Sequence, residues 1–161
     1  MTLFQGLKNE ELSTIETHHI DLDDASIYIP STNITNARTL SLHPQQIHHL
    51  MQYLYEIRPR LLIEANKSTD RLFFSMGKGN NLTNAIHLMV KELKRDHPIL
   101  KTITQLRESR MVIWVKEYGI RKAQYLSGIK YTSSMLRYKT ADVEQLKKKL
   151  AIAHPMERLK L

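Results

Sequence analysis

The sequence predicts a mainly α-helical domain built around a small three-stranded antiparallel sheet, an α+β arrangement, on three observations. Three short pieces between residues 18 and 42 alternate apolar and polar side chains with a period of two. From Pro44 onward the apolar residues recur every three to four positions. The 161 residues are 42% hydrophobic with five Gly, five Pro and no Cys, so one unit can bury a core, and collagen, a disulfide scaffold and a disordered tail are excluded.

Leu3, Leu7, Leu12 and Ile15 are spaced as on one short amphipathic helix with Lys8, Asn9 and Glu10 on its polar face. Residues 18–22 and 26–29 then alternate around Asp23-Asp24, a turn pair that disfavours strand, which predicts a β-hairpin. Thr39-Leu40-Ser41-Leu42 supplies the third strand after a polar loop. A helix from Pro44 carries Ile47, Leu50, Met51, Leu54 and Ile57 on one face, and Pro59 is expected to end it. A second helix follows Asn80-Asn81, with Leu82, Ile86, Met89, Val90 and Leu93, and stops at His97-Pro98. A third spans about residues 103–118 and stops at Gly119. Short helices fit 121–126 and 133–137, and a last amphipathic helix starts at Asp142 and carries Val143, Leu146, Leu150 and Ile152.

The net charge of +8 is regional. Residues 1–56 hold two basic and seven acidic side chains, whereas residues 104–140 hold eight and two. A positive region of this kind suits a polyanion such as nucleic acid, and a basic domain that binds a protein partner is the alternative from another class. No apolar run approaches the roughly 18 residues of a membrane span. MTLFQGLKNEEL lacks the basic start and apolar core of an export signal, so a cytoplasmic location is expected.

Metal and nucleotide chemistry find little support. His43 precedes a helix, and adjacent His48 and His49 point about 100° apart on one, so no shared ligand face is expected. Gly77-Lys78-Gly79 lacks the spacing and the Lys-Ser/Thr pair of a phosphate loop and reads as a surface turn.

The stretch from Thr104 to Lys139 carries more. Leu106-Arg107-Glu108-Ser109, then Ser127-Gly128-Ile129, then Tyr138 nine residues later resemble the pattern of the tyrosine recombinase (phage integrase) catalytic domain, His-x-Leu-Arg-His-Ser, Leu-Gly-His and the nucleophilic Tyr. GLKNEEL, ETHHIDLDDASIYIP and ARTLSL resemble that family's Gly-Leu-Arg-x-x-Glu-Leu helix, its Asp-Ile-Asp strand and its Arg-Thr third strand, so the resemblance covers about residues 3–155. It implies the catalytic-domain fold and DNA integration or site-specific recombination, in which Tyr attacks the scissile phosphate and leaves a 3′-phosphotyrosine without metal or other cofactor.

Carried over residue by residue, Tyr138 takes the nucleophile position, Arg107 the second Arg and Lys8 the first Arg, where a point ammonium replaces a bidentate fork. Thr104 and Ile129 stand at the two His positions and cannot titrate. The loop where the family keeps its leaving-group Lys, residues 31–37, has none; Lys130, Lys67 and Lys78 are the substitutes that could reach. Glu11 and Arg38 match supporting positions. An eroded active site is therefore expected, with a non-cutting DNA-binding or assembly protein as the alternative. Arg38, Arg110, Lys130 and Arg137 are expected on duplex DNA. The family carries further helix before the first Arg and a separate core-binding domain, so 1–161 reads as one shortened catalytic-type domain. Its segment after the nucleophile, 142–153, is expected to dock on a neighbouring copy in an oligomer formed on DNA.

Overall fold

The computed structural model describes residues 1–77, 79 and 82–140. The helix expected at 142–153 and Lys78 lie outside the described residues. Two short helices open the chain, α1 (Thr2–Gln5) and α2 (Asn9–Thr14). They replace the single helix expected, and the reason is Gly6, which sits in the left-handed region at φ 59°. Met111 and Trp114 crowd that glycine so closely that a Cβ would meet the Met111 methyl at 2.5 Å. The break leaves Lys8 extended at φ −81°, ψ 159° as the N-cap of α2, rather than on a helix face.

After a 3₁₀ turn at Thr17–His19 the chain enters β1 (Ile20–Asp21), β2 (Ser26–Ile29) and β3 (Arg38–Ser41), an antiparallel sheet in the order β1-β2-β3. Ile27 faces Leu40 across the β2–β3 ladder and Ile29 faces Arg38. Alternate residues point inward: Ile27, Ile29, Arg38 and Leu40 are buried, and Tyr28, Thr39 and Ser41 are exposed.

The helix begun at Pro44 does not end at Pro59. It runs as α3 (Pro44–Gln52), passes through a π-helical stretch at Tyr53–Ile57, and continues as α4 (Arg58–Glu64). The wider turn carries the chain through a proline that has no N–H to give: the Arg58 N–H closes on the Tyr53 carbonyl, five residues back. Helix α5 (Thr83–Asp96) ends at His97, as its Pro98 requires. Helix α6 (Ile103–Ser127) is interrupted at Gly119, whose φ 77° and ψ 170° are not helical, so one helical segment stops there and a second follows, as the expected helices at 103–118 and 121–126 require. Gly128, at φ 68°, closes it, and α7 (Ser133–Thr140) follows.

One buried cluster joins Leu7, Leu12 and Ile15 to the sheet and to Leu82, Ile86 and Val90 of the α5 region. A second, of Met111, Val112, Trp114, Ala123, Met135 and Tyr138, locks α6 to α7, and Leu126 packs on both. Each fully buried aliphatic side chain here is worth roughly 1.5–3 kcal/mol relative to exposure. Among the described residues no helix is long and apolar enough to cross a membrane.

Candidate active site

Four stretches far apart in sequence wall a cavity of about 620 Å³. Thr2 and residues 7–10 form one side; Asn33 and Ile34 of the β2–β3 loop, and Thr104, Arg107 and Glu108 of α6, form others. Ile129, Lys130, Tyr131, Ser134 and Arg137 complete it from the turn after α6 and from α7. Lys8, Thr104, Arg107 and Ile129, singled out by motif spacing, and Lys130 and Arg137, singled out as cations expected on DNA, thus share one hollow.

Local rules place each of them. The Thr102 hydroxyl accepts from the Gln105 N–H at 3.2 Å and caps α6, which sets Arg107 one turn inside the helix. Gly128 reverses the chain so that Ile129 and Lys130 turn back over the β2–β3 loop. Two main-chain contacts fasten that turn, an antiparallel bridge between Thr35 and Ile129 and a 2.8 Å bond from the Asn36 N–H to the Gly128 carbonyl. The Lys130 ammonium then donates to the Asn33 carbonyl at 2.7 Å.

Arg107 is 7% exposed, and its Nη2 donates to the Ser127 carbonyl at 3.3 Å. Its Nε is buried and has no hydrogen-bond partner among the described residues. A buried donor left unpaired costs about 1–3 kcal/mol, so Arg107 Nε is held in place at the expense of stability. Burial pushes the guanidinium below its ordinary pKa, while the Tyr138 phenol and Glu11 pull it back up. Lys8 is lowered as well, first by burial and then by the charge of Arg107, with Glu11 and Glu10 opposing.

Behind this pair lies a buried ion pair. Glu11 takes Arg38 Nη1 at 2.6 Å and Nη2 at 3.2 Å, and both side chains are fully buried. Arg38 Nε also donates to the Leu126 carbonyl at 2.9 Å. Burial by itself raises a carboxyl, yet Glu11 stays below its ordinary value because the Arg38 hydrogen bonds and charge, the Lys8 N–H and Thr35 outweigh it. Arg38 is thus corrected from a DNA contact to a structural cation: it has no surface to offer a phosphate. Arg110 is also placed elsewhere. Its Nε donates to the Phe4 carbonyl at 2.7 Å, its guanidinium lies 5.6 Å from the Trp114 ring centre, and it does not line the cavity.

Tyr138 is 5% exposed and belongs to the second core cluster rather than to the cavity wall. Arg137 stands between the two: its Nη2 donates to the Tyr138 hydroxyl, its guanidinium lies 4.7 Å from that ring's centre, and it is 3.8 Å from Glu108. Lys67 is spent on the 75–79 loop, donating to the Ser75 and Gly77 carbonyls, so it is not part of the site. Asn33, Tyr131 and Ser134 went unsuspected in sequence. They carry no motif, and only the meeting of loop and turn brings them in. Among the described residues no group of three His, Asp or Glu side chains is arranged to hold a metal ion.

No protein-family model and no curated protein matches the chain. Solved structures do. XerA recombinase superposes with a TM-score of 0.70 at 21% identity, over 95% of this chain and 55% of that one. A Tn1549 transposon integrase in complex with a circular intermediate DNA gives 0.65 at 14% identity, over 92% and 55%. The same integrase in complex with transposon right end DNA gives 0.62 at 14%, over 98% and 56%. The chain therefore has the fold of the tyrosine recombinase catalytic domain, and it spans about half the length of the chains it resembles.

Proposed function

We propose that the chain works on duplex DNA in integration or site-specific recombination, with Tyr138 as the nucleophile and with Arg107 and Lys8 holding the scissile phosphate. The observation that carries this reading is the buried, unpaired Nε of Arg107 beside a cavity shared with Lys8, Lys130 and Arg137. Charge that develops on non-bridging oxygens is stabilised by donors already fixed in a poorly solvated site, and Arg107 is such a donor. Tyr138 is linked to that cavity through Arg137, a cavity-lining residue whose guanidinium donates to the Tyr138 hydroxyl. The cleavage step is slow, because Thr104 and Ile129 offer no titratable group where acid–base help is useful, and each lost assistant is worth on the order of 10²–10⁴ in rate.

The test is covalent trapping on a nicked suicide duplex. A faint adduct is expected from the unaltered protein and none from Tyr138→Phe. The triple change Lys8→Arg, Thr104→His and Ile129→His should raise its yield. Adduct formed rapidly and still present in Tyr138→Phe overturns both the erosion and the nucleophile.

The burial of Tyr138 under Arg137 favours a second reading, a recombinase-fold protein that binds DNA without cutting it. Under that reading the triple change yields no adduct although DNA binding is intact. A third, a basic domain for a protein partner, predicts no salt-sensitive DNA binding at all.

A further inference from the structure

Two tyrosines in the last part of α6 lie outside the core and close to cations. Tyr118 is 48% exposed and Tyr125 is 56% exposed, so neither ring is explained by burial. The Lys122 ammonium lies 4.6 Å from the centre of the Tyr118 ring. In the helical segment after Gly119, Tyr125 stands three residues beyond Lys122 and four beyond Arg121, the spacings that make neighbours on one helix surface. Arg121 and Tyr125 also border a hollow of about 230 Å³, closed by Asn36 and Ala37 of the β2–β3 loop and by Gly128. Residues 116–125 hold three basic side chains and one acidic. Local bonds fasten this face. The Gly128 N–H donates to the Tyr125 carbonyl at 3.0 Å, and Gln124 is tied to the Lys130 carbonyl at 3.0 Å and to the Thr132 hydroxyl at 2.8 Å.

We infer that this face of α6 binds an unpaired DNA strand, with bases stacked on the Tyr125 and Tyr118 rings and phosphates held by Arg121 and Lys122. The excess of positive charge suits a polyanion. Exposed rings suit a strand rather than a duplex, since a duplex hides its base faces in its own stack while an unpaired strand offers one at every nucleotide. The hollow beside Tyr125 is smaller than the roughly 300–1,000 Å³ of an ordinary small-molecule site, which matches one inserted base rather than a whole ligand. Its position gives the strand a source. Ile129 lines both this hollow and the larger cavity, and the β2–β3 loop runs from Asn33 and Ile34 at the cavity to Asn36 and Ala37 here. Nucleotides that unpair beside the cavity reach Tyr125 by crossing that loop. Stacking needs no cutting and no Tyr138; that the strand is DNA rests on the proposed function.

Binding of the full chain to short fluorescent probes at low salt tests this. The probes are an oligothymidylate, the same strand with abasic sites in place of its bases, and a blunt duplex. The oligothymidylate should bind more tightly than the abasic strand, which keeps the phosphates and lacks the rings. Tyr125→Ala should weaken oligothymidylate binding on the order of 10-fold and leave the abasic strand and the duplex unchanged. Tyr125→Phe, which keeps the ring, should bind as the unaltered protein does. Arg121→Gln should weaken both single strands alike. Equal binding of the two single strands, equal loss on strand and duplex in Tyr125→Ala, or a Tyr125→Phe protein that fails as Ala does overturns the stacking face. An RNA strand of the same length bound more tightly than the oligothymidylate overturns the choice of DNA. A suicide duplex that yields no Tyr138 adduct while the oligothymidylate still binds overturns the cutting reading and supports this face, and the reverse result overturns this face alone.

Discussion

Glu11 and Arg38 form a fully buried pair directly behind Lys8 and Arg107, so the candidate site stands on a charge arrangement that no water screens. Removing one partner of such a pair strands the other, at a cost of about 3–5 kcal/mol. Arg38→Met should therefore lower the urea midpoint steeply although it touches no candidate substrate group. The pH dependence has a definite sign. The folded Glu11 carboxyl lies below its unfolded value, so its contribution is complete above the ordinary carboxylate range and is lost as pH falls through the folded value. Urea midpoints should fall in acid for the unaltered protein, and Glu11→Gln should start lower at neutral pH and lack that part of the acid slope. An unchanged slope in Glu11→Gln would remove Glu11 as its source. At this scale spacing was informative about position: Lys8, Thr104, Arg107 and Ile129 line one cavity, while Tyr138 of the same pattern lies in the core beside it. It was illegible where burial decides. Arg38 and Arg137 are both cations in a basic chain, and nothing in their identity says that one is sealed under Gly128 while the other covers Tyr138.

The elements differ in how openly their sequence announces them. Alternation marked the sheet, and His97-Pro98 marked the end of α5. Gly6 and Pro59 misled, because their effect depends on packing around them: Trp114 and Met111 make Gly6 a break, and the π-helical stretch lets the chain run past Pro59. Gly128 is the element-scale switch for the site. A Cβ there would strike the Arg38 guanidinium and approach the Asn36 carbonyl at 3.1 Å, in a backbone conformation that already disfavours any side chain. Gly119 also has positive φ, but nothing lies within 4 Å of the position its Cβ would take. Alanine at either glycine should cost about 1–3 kcal/mol in backbone strain. Gly128→Ala should cost visibly more, through displaced Arg38, and should also reduce adduct formation by shifting Ile129 and Lys130. Equal destabilisation by the two alanines would show that the Arg38 contact gives way without cost.

For the whole molecule, the charge split along the sequence becomes an arrangement in space. The acidic first third supplies the sheet and the Glu11 anchor, while α6, its following turn and α7 bring Arg107, Lys130 and Arg137 to the cavity. A second hollow of about 490 Å³ shares Asn9, Ile103 and Thr104 with the first and adds Lys91, Lys94 and Lys101, which lengthens the basic track. The sequence pointed to the sign of the partner and not to this path, since folding decides that Lys91, Lys94 and Lys101 share a hollow with Asn9 of α2. Duplex DNA should bind along it through phosphates, with an affinity in the non-specific range of about 10⁻⁴ to 10⁻⁶ M for a single domain. Each phosphate contact that is lost should flatten the plot of log affinity against log salt by about 0.9. Lys94→Gln with Lys101→Gln should therefore shallow that slope. Arg110→Gln should leave it unchanged, because that guanidinium is occupied by the Phe4 carbonyl and the Trp114 ring. If Arg110→Gln flattens the slope and the double lysine change does not, the DNA runs along the α1 face of α6 instead. Binding that ignores salt altogether would favour the protein-partner reading, because counterion release is a property of the nucleic acid and not of the fold.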